Sequence, residues 1–270
     1  MIINSSFFKI PIINSIIYYD ITDSTNDKAK EFGKGKGVHG TLFVAQTQTA
    51  GKGRLGRSFD SPDSEGLYIS LLLRPEMDIS RYPQLTILAA VAVSRCIAKI
   101  TGLTPQIKWP NDILIQGKKC AGILTEAGPD YVVIGIGLNV NNKFFPANIM
   151  KTATSLAMES SIDYNKELLL KCLLEEFNEL YYDLINHKDL SFLIDEYTAL
   201  LCSLNNYVYA IPHNISLTTN NPYTVSTEGL TPIFCKGIDT AGNLICMDKN
   251  GNSLTVNSGE VSIRGIHNYS

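Results

Sequence analysis

The sequence predicts an α+β fold: one mixed, largely antiparallel sheet packed by helices, followed by a small β module. Three observations predict it. Two long stretches, residues 86–100 and 165–186, repeat apolar side chains at helical spacing. Three apolar runs, at 113–115, 120–126 and 131–140, are joined by links (116–119 and 127–130) too short for a helical crossover, so they pair antiparallel. Past Leu204 the chain changes to short strands separated by turn sequences.

Each element has a local reason. Residues 16–21 are a β-branched strand. Ser24 stands where it can cap a helix over 25–32, with Asp27 as capping-box partner and Gly33 as the stop. Strands are expected at 41–47 and 67–74, on either side of a glycine-rich loop. In 86–100, Ile87, Ala90, Val91, Ser94, Ile97 and Ala98 share one face, and Gly102 ends the helix. In 165–186, Leu169, Cys172, Leu173, Phe177 and Leu180 face inward, and 191–201 adds a further helix. Strands follow at 233–239, 244–248 and 253–256, the last two joined by an Asn250-Gly251 hairpin signal. The polar segment 213–229 fits no element. The expected division is 1–204 for the larger part and 205–270 for the β module.

Composition excludes several classes. The net charge is −3 over 270 residues, which argues against general nucleic-acid binding. Six cysteines without C-x-x-C spacing read as reduced, buried thiols of a cytoplasmic protein rather than a zinc site. The start lacks a basic leader pattern, and the apolar runs 85–93 and 132–138 are too short to span a bilayer. The four histidines form no Ser-His-Asp arrangement.

The chemistry concentrates in Gly51-Lys52-Gly53-Arg54-Leu55-Gly56-Arg57, three glycines and three cations in seven residues. Glycines bring backbone N–H groups close to a ligand, and the cations suit a polyanion such as phosphate. The same glycines satisfy G-x-G-x-x-G, but polar residues precede them and no helix opens after them, so a nicotinamide site is disfavoured. Further motifs are Asp23-Ser24-Thr25-Asn26, Lys108-Trp109-Pro110-Asn111-Asp112, Lys119 two residues before Ala121-Gly122-Ile123-Leu124, and Gly135-Ile136-Gly137-Leu138-Asn139.

In that order, these motifs resemble the biotin protein ligase family over about half the chain. The resemblance implies a class II synthetase-like catalytic domain with a C-terminal SH3-like barrel. It implies that biotin and ATP, with Mg2+, form biotinyl-5′-AMP and pyrophosphate. The biotinyl group then passes to a lysine of a biotin carboxyl carrier protein or domain of a biotin-dependent carboxylase. A carboxylate approaching an anionic α-phosphorus needs positive charge between the two groups.

The resemblance assigns that task to Lys119, with Arg54 and Arg57 on the phosphates and Asp112 orienting Lys119 or holding Mg2+. It places biotin against Ser24, Thr25, Asn26, Gln48, Gly51, Lys52, Gly53, Arg54, Lys119, Gly122, Gly135 and Gly137. It places ATP against Arg54, Arg57, Phe59, Lys108, Asn111, Lys119, Asn139 and Arg264. Lys119 is expected at a strand edging the sheet, and the three strand glycines are expected to leave room for a flat ligand. Trp109 is read as core. The loop is expected to be mobile until ligands order it.

Two positions depart from the family pattern: Lys52 replaces the commoner Arg and Phe59 the commoner Trp. A lysine keeps the charge but loses the bidentate fork. Roughly 15 residues precede the first strand, too few for a helix-turn-helix, so no DNA role is expected. No membrane partner is expected, and monomer and homodimer both stay open. The rivals are a lipoate–protein ligase using the same adenylation logic and a catalytically silent partner-binding homologue.

Overall fold

Residues 7, 9–35, 37–59, 64–212, 230–257 and 261–265 are described in the computed structural model. The chain opens with β1 (Ser15–Thr22), α1 (Thr25–Lys34) and β2 (Thr41–Gln48). β1 and β2 run parallel, which requires a crossover, and α1 supplies it. β3 (Leu67–Leu73) returns antiparallel to β2. After α2 (Pro83–Thr101) come β4 (Gln106–Lys108), β5 (Asp112–Ile115), β6 (Lys118–Ala127) and β7 (Val132–Leu138). The seven strands form one mixed sheet in the order β1-β2-β3-β7-β6-β5-β4, antiparallel everywhere except at the first pair.

Alternation along the strands gives the sheet two unlike faces. Leu42, Val44, Ile134 and Ile136 point into the main core, where α2 and α4 (Lys166–His187) pack. Phe43 and Val133 point the other way, into a small cluster with Ala29, Leu72 and Tyr131 beneath α1. The main core closes one face entirely, while α1 covers only part of the other. A pocket opens on that second face.

Most predicted elements are present, with shifted ends. α2 ends at Gly102, whose φ of 70° places it in the left-handed region and whose N–H bonds the Ala98 carbonyl. Asn165 caps α4 through its side chain on the N–H groups of Glu167 and Leu168. With the turn before it, α2 (Ile79–Thr101, 23 residues) is long and apolar enough to cross a membrane, more than the run 85–93 suggests. Its apolar surface is taken up by the sheet and α4. β4 and the short helix α3 (Leu156–Ser160) were not expected, because three and five residues carry too little periodicity to stand out. The last helix of the larger part, α5 (Ile194–Leu200), falls inside the expected 191–201.

Two expectations about α1 fail. Ser24 occupies the N-cap position but its side chain makes no capping bond; Asp23 instead accepts from the Ser24 N–H. The helix also runs through Gly33 to Lys34. Gly33 is required by packing rather than termination, because a Cβ there would lie 2.8 Å from the Tyr131 ring.

The C-terminal strands β8 (Tyr207–Pro212), β9 (Ile233–Ile238), β10 (Leu244–Met247), β11 (Ser253–Val256) and β12 (Val261–Gly265) form a second, antiparallel sheet in the order β11-β10-β9-β8-β12. This fits the small barrel expected there. β8 and β12, unpredicted, close the sheet on one side. Its inner residues Val208, Cys235, Ile238, Leu244 and Cys246 join the main core. Trp109, 3% exposed, reaches across to donate its Nε1–H to the Gly242 carbonyl at 3.0 Å. The segment 213–229 lies outside the described residues.

Candidate functional site

The pocket encloses about 450 Å³, its open mouth included. Four parts build it: a polar wall from α1, β2 and β3; a floor of β6 and β7; the glycine loop; and a charged corner at the start of β6.

The wall is a continuous hydrogen-bonded layer. Thr25 donates both its backbone N–H (2.8 Å) and its hydroxyl (3.0 Å) to Gln48 Oε1, which fixes the orientation of that amide. Ser70 Oγ lies 2.8 Å from Thr25 Oγ1 and 2.6 Å from Asn26 Oδ1. Asn26 Nδ2 donates to Glu126 Oε2 at 2.9 Å and to the Leu124 carbonyl at 3.3 Å. Ser24, Thr25, Asn26, Gln48 and Ser70 are all buried. Buried polar groups of this density are tolerated only when paired, and the pairing makes the layer rigid. Freed from capping, Ser24 lines the pocket.

The floor glycines line the pocket and also lie close against the protein's own side chains. A Cβ at Gly135 would run into Asn26 Oδ1, one at Gly137 would lie 2.6 Å from the Phe59 ring, and one at Gly122 would lie 3.0 Å from Lys119 Nζ. Each glycine therefore makes room for one of the protein's own side chains crossing the sheet. Phe59 lies on the floor and also meets the Tyr68 ring edge-on at 6.4 Å.

The loop is tied down more than its composition implies. Lys52 and Ser58 form an isolated antiparallel bridge, the Gly53 N–H bonds the Arg57 carbonyl at 2.7 Å, and the Phe59 N–H bonds the Gly51 carbonyl at 2.9 Å. Its stem is held on β1 through Thr49 N–H to the Thr22 carbonyl and Ala50 N–H to the Asp23 carbonyl. Lys52 Nζ pairs with Asp27 at 2.7 Å. Burial works against the Asp27 carboxylate, but hydrogen bonds from Lys52 and Lys30 outweigh it and hold its pKa below the usual range.

At the corner, Lys119 Nζ is 2.7 Å from Asp112 Oδ1 and 5.9 Å from the Phe59 ring centroid. Arg54 reaches in from the loop and donates to Asn111 Oδ1 at 3.0 Å. Burial lowers the Arg54 pKa, with Asp112 acting in the opposite sense, yet a guanidinium stays protonated at neutral pH. β6 is not an edge strand: it lies between β5 and β7. The Lys119 backbone is stapled from a further side, its N–H to the Thr152 carbonyl (2.7 Å) and its carbonyl to the Thr154 N–H (2.9 Å).

Ser24, Thr25, Asn26, Gln48, Lys52, Gly53, Arg54, Phe59, Asn111, Lys119, Gly122, Gly135 and Gly137 thus surround one pocket. Gly51 and Asp112 sit directly behind it, the first bonding Phe59 and the second holding Lys119. Three expected members lie elsewhere. Arg57 is exposed and does not line the pocket. Lys108 is buried in β4. Asn139 is 4% exposed and donates its amide to the Thr154 carbonyl, so it braces the segment that staples Lys119. For Arg264 only the backbone, in β12, is described. Ser70 and Glu126 were missed because each is one polar residue in a strand whose partners are distant in the chain.

The family profile of the biotin/lipoate A/B protein ligases matches residues 18–139, which hold every part of this pocket. These residues belong to that family. The bifunctional ligase/repressor BirA of Bacillus spizizenii is 42% identical over 179 residues, covering 64% of this chain. The match spans 55% of that relative's length, so it leaves nearly half of the relative unmatched. A biotin–[acetyl-CoA-carboxylase] ligase of Mycobacterium tuberculosis is 29% identical over 247 residues, 89% of this chain and 85% of its own length. Among solved structures, the Aquifex aeolicus biotin protein ligase in complex with biotin and ATP superposes with a TM-score of 0.79 at 29% identity, covering 94% of this chain and all of its own. In this biotin/lipoate ligase domain the pocket lies on the face of the sheet away from the main core.

Proposed function

We propose that the chain is an ATP-dependent biotin–protein ligase that makes biotinyl-5′-AMP and passes biotin to a lysine of a carboxylase carrier domain. One observation carries the reading. A neutral, rigid polar wall and a cationic corner share one pocket, so a ligand with a polar ring at one end and a carboxylate at the other meets complementary groups at both. The Aquifex relative, bound to biotin and ATP, supports the same pair of substrates.

The buried ureido head of biotin needs hydrogen bonds, since leaving it unpaired costs about 1–3 kcal/mol. Ser24, Thr25 and Gln48 meet it, while Asn26, committed to Ser70 and Glu126, holds the wall in shape. The carboxylate comes to rest beside Lys119. Its ammonium stands between the carboxylate and the α-phosphate, and Asp112 aims it. The carboxylate oxygen attacks the α-phosphorus, the bond to the bridging oxygen breaks, and pyrophosphate leaves with its negative charge. Arg54, with Lys52, balances charge on the phosphates, and Arg57 joins when the loop closes over them. Phe59 offers its face to the purine. In the second step the neutral amine of the acceptor lysine attacks the biotinyl carbonyl and AMP departs.

No carboxylate lines the pocket, and the nearby Asp112 is engaged by Lys119. Among the described residues no group of three or more His, Cys, Asp or Glu could hold a metal. These residues do not fit a resident ion, so Mg2+ is assigned to the nucleotide's own phosphates. All six cysteines are buried free thiols, which suits a cytoplasmic setting. The role needs neither DNA nor a membrane.

Incubation of the chain with ATP, a carrier domain and either labelled biotin or labelled lipoate tests the reading. Label is expected on the carrier from biotin only. Transfer of lipoate instead, or of neither, contradicts it.

A further inference from the structure

Beneath the wall, the pairs on α1 continue into the loop. Glu126 on β6 receives Asn26 Nδ2 on one oxygen (2.9 Å) and Lys30 Nζ on the other (2.6 Å). Lys30 is also 3.2 Å from Asp27, and Asp27 holds Lys52 of the glycine loop at 2.7 Å. A single cation thus sits between the carboxylate that fixes the wall and the carboxylate that anchors the loop. Burial lowers the Lys30 pKa, but the two carboxylates outweigh it and raise it overall, so the cation is charged across the working pH range.

The Asn26 amide has two ways to face, and the surroundings choose one. An ionised carboxylate only accepts, so Glu126 forces Nδ2 toward itself and Oδ1 toward Ser70. Ser70 in turn lies against Thr25, and Thr25 fixes Gln48. The Asn26 and Ser70 part of the wall is therefore set from a residue that does not line the pocket, while the Thr25 backbone N–H holds Gln48 by itself.

Resting on the reading of this pocket as a biotin site, we propose that Glu126 is a positioning residue for head-group recognition. Through Lys30 and Asp27 it also couples that recognition to closure of the loop at Lys52. Glu126 touches neither substrate; it acts on Asn26. Gly135 is part of the same device, since any Cβ there would displace Asn26 from Glu126.

The test is calorimetric titration of biotin alone into the full chain and its Glu126→Gln, Lys30→Met and double variants, with the KM for ATP measured in parallel. Glutamine keeps the shape of Glu126 but can donate, so the Asn26 amide is held only by its longer bond to the Leu124 carbonyl. Each single variant is expected to weaken biotin binding on the order of tenfold. The double variant should lose little more than the weaker-binding single, because both changes act through one unit. The KM for ATP should hold. At saturating biotin, tryptic cleavage within residues 52–57 should be slowed in the native chain and much less in Lys30→Met. If Glu126→Gln does not fold, Lys30→Met carries the same readouts.

A native chain that fails to bind biotin removes the functional reading, and the proposal with it. Native binding with both single variants indistinguishable from it overturns the positioning role alone. So does a loss of biotin affinity matched by an equal rise in the KM for ATP, which indicates general loosening.

Discussion

The wall and the loop face each other across the pocket and are held by opposite means. The wall is buried, neutral at its surface, and bonded at nearly every polar atom from Gln48 through Thr25 and Ser70 to Asn26. The loop is half exposed, carries three cations, and is fastened by a few backbone bonds, a partly exposed ion pair and the Arg54–Asn111 hydrogen bond. A rigid neutral surface suits recognition, because its donors and acceptors are in place before the ligand arrives. A lightly fastened cationic segment suits a charge that must move with the substrate and then let the product go. The difference separates two kinds of effect: changes at the cationic side should fall on kcat, and changes in the wall should fall on KM for biotin.

The largest expected effect is at the corner facing both. Lys119→Ala should raise the barrier to adenylation by about 3–4 kcal/mol, comparable to losing one preorganised donor at a developing charge. Single-turnover rates check this, and biotin affinity should change far less than the rate. An unchanged rate would remove Lys119 from the chemistry and erase the contrast.

Ser70→Ala comes next and acts only on the wall. It takes the Ser70 hydroxyl from Asn26 Oδ1 and leaves Thr25 Oγ1 with Gln48 alone, a loss of about 1–3 kcal/mol shared between stability and biotin affinity. Thermal unfolding and biotin titration together measure it. A fall in kcat with KM unchanged would show that wall and loop are not separate in the way described.

The smallest effect belongs to the loop's ion pair. Its groups are partly exposed, so Asp27→Asn should cost at most about 1 kcal/mol. Asp27 binds its proton less readily folded than unfolded. The pair's contribution is therefore complete above the ordinary carboxylate range, roughly pH 4, and fades as pH falls through the lower folded value. Proteolysis within residues 52–57, followed against pH, should show the loop loosening on that acid limb in the native chain and not in Asp27→Asn.

The cationic side was easier to read from sequence than the wall, for a physical reason. A glycine loop and a lysine before a strand use unusual residues at fixed spacing, so Arg54, Lys52 and Lys119 stand out. The wall depends on register. Ser70 pairs opposite Gly135, and only that pairing brings Asn26 between them. No local pattern encodes a contact between residues 44 or 100 positions apart. The strand glycines were recognised as special, but the side chains that crowd them, Asn26, Phe59 and Lys119, could not be named from the sequence. In the fold, long periodic segments such as α2 and α4 were legible, as was the antiparallel run from β5 to β7. β4, β8 and β12 were not, being short and stabilised by partners distant in the chain.

The most direct test of the central claim, that the cationic corner joins a carboxylate to an α-phosphate, is exchange of labelled pyrophosphate into ATP, measured with and without biotin. The account predicts exchange that requires biotin and collapses in Lys119→Ala. Exchange that is independent of biotin, or none in the native chain, would contradict it.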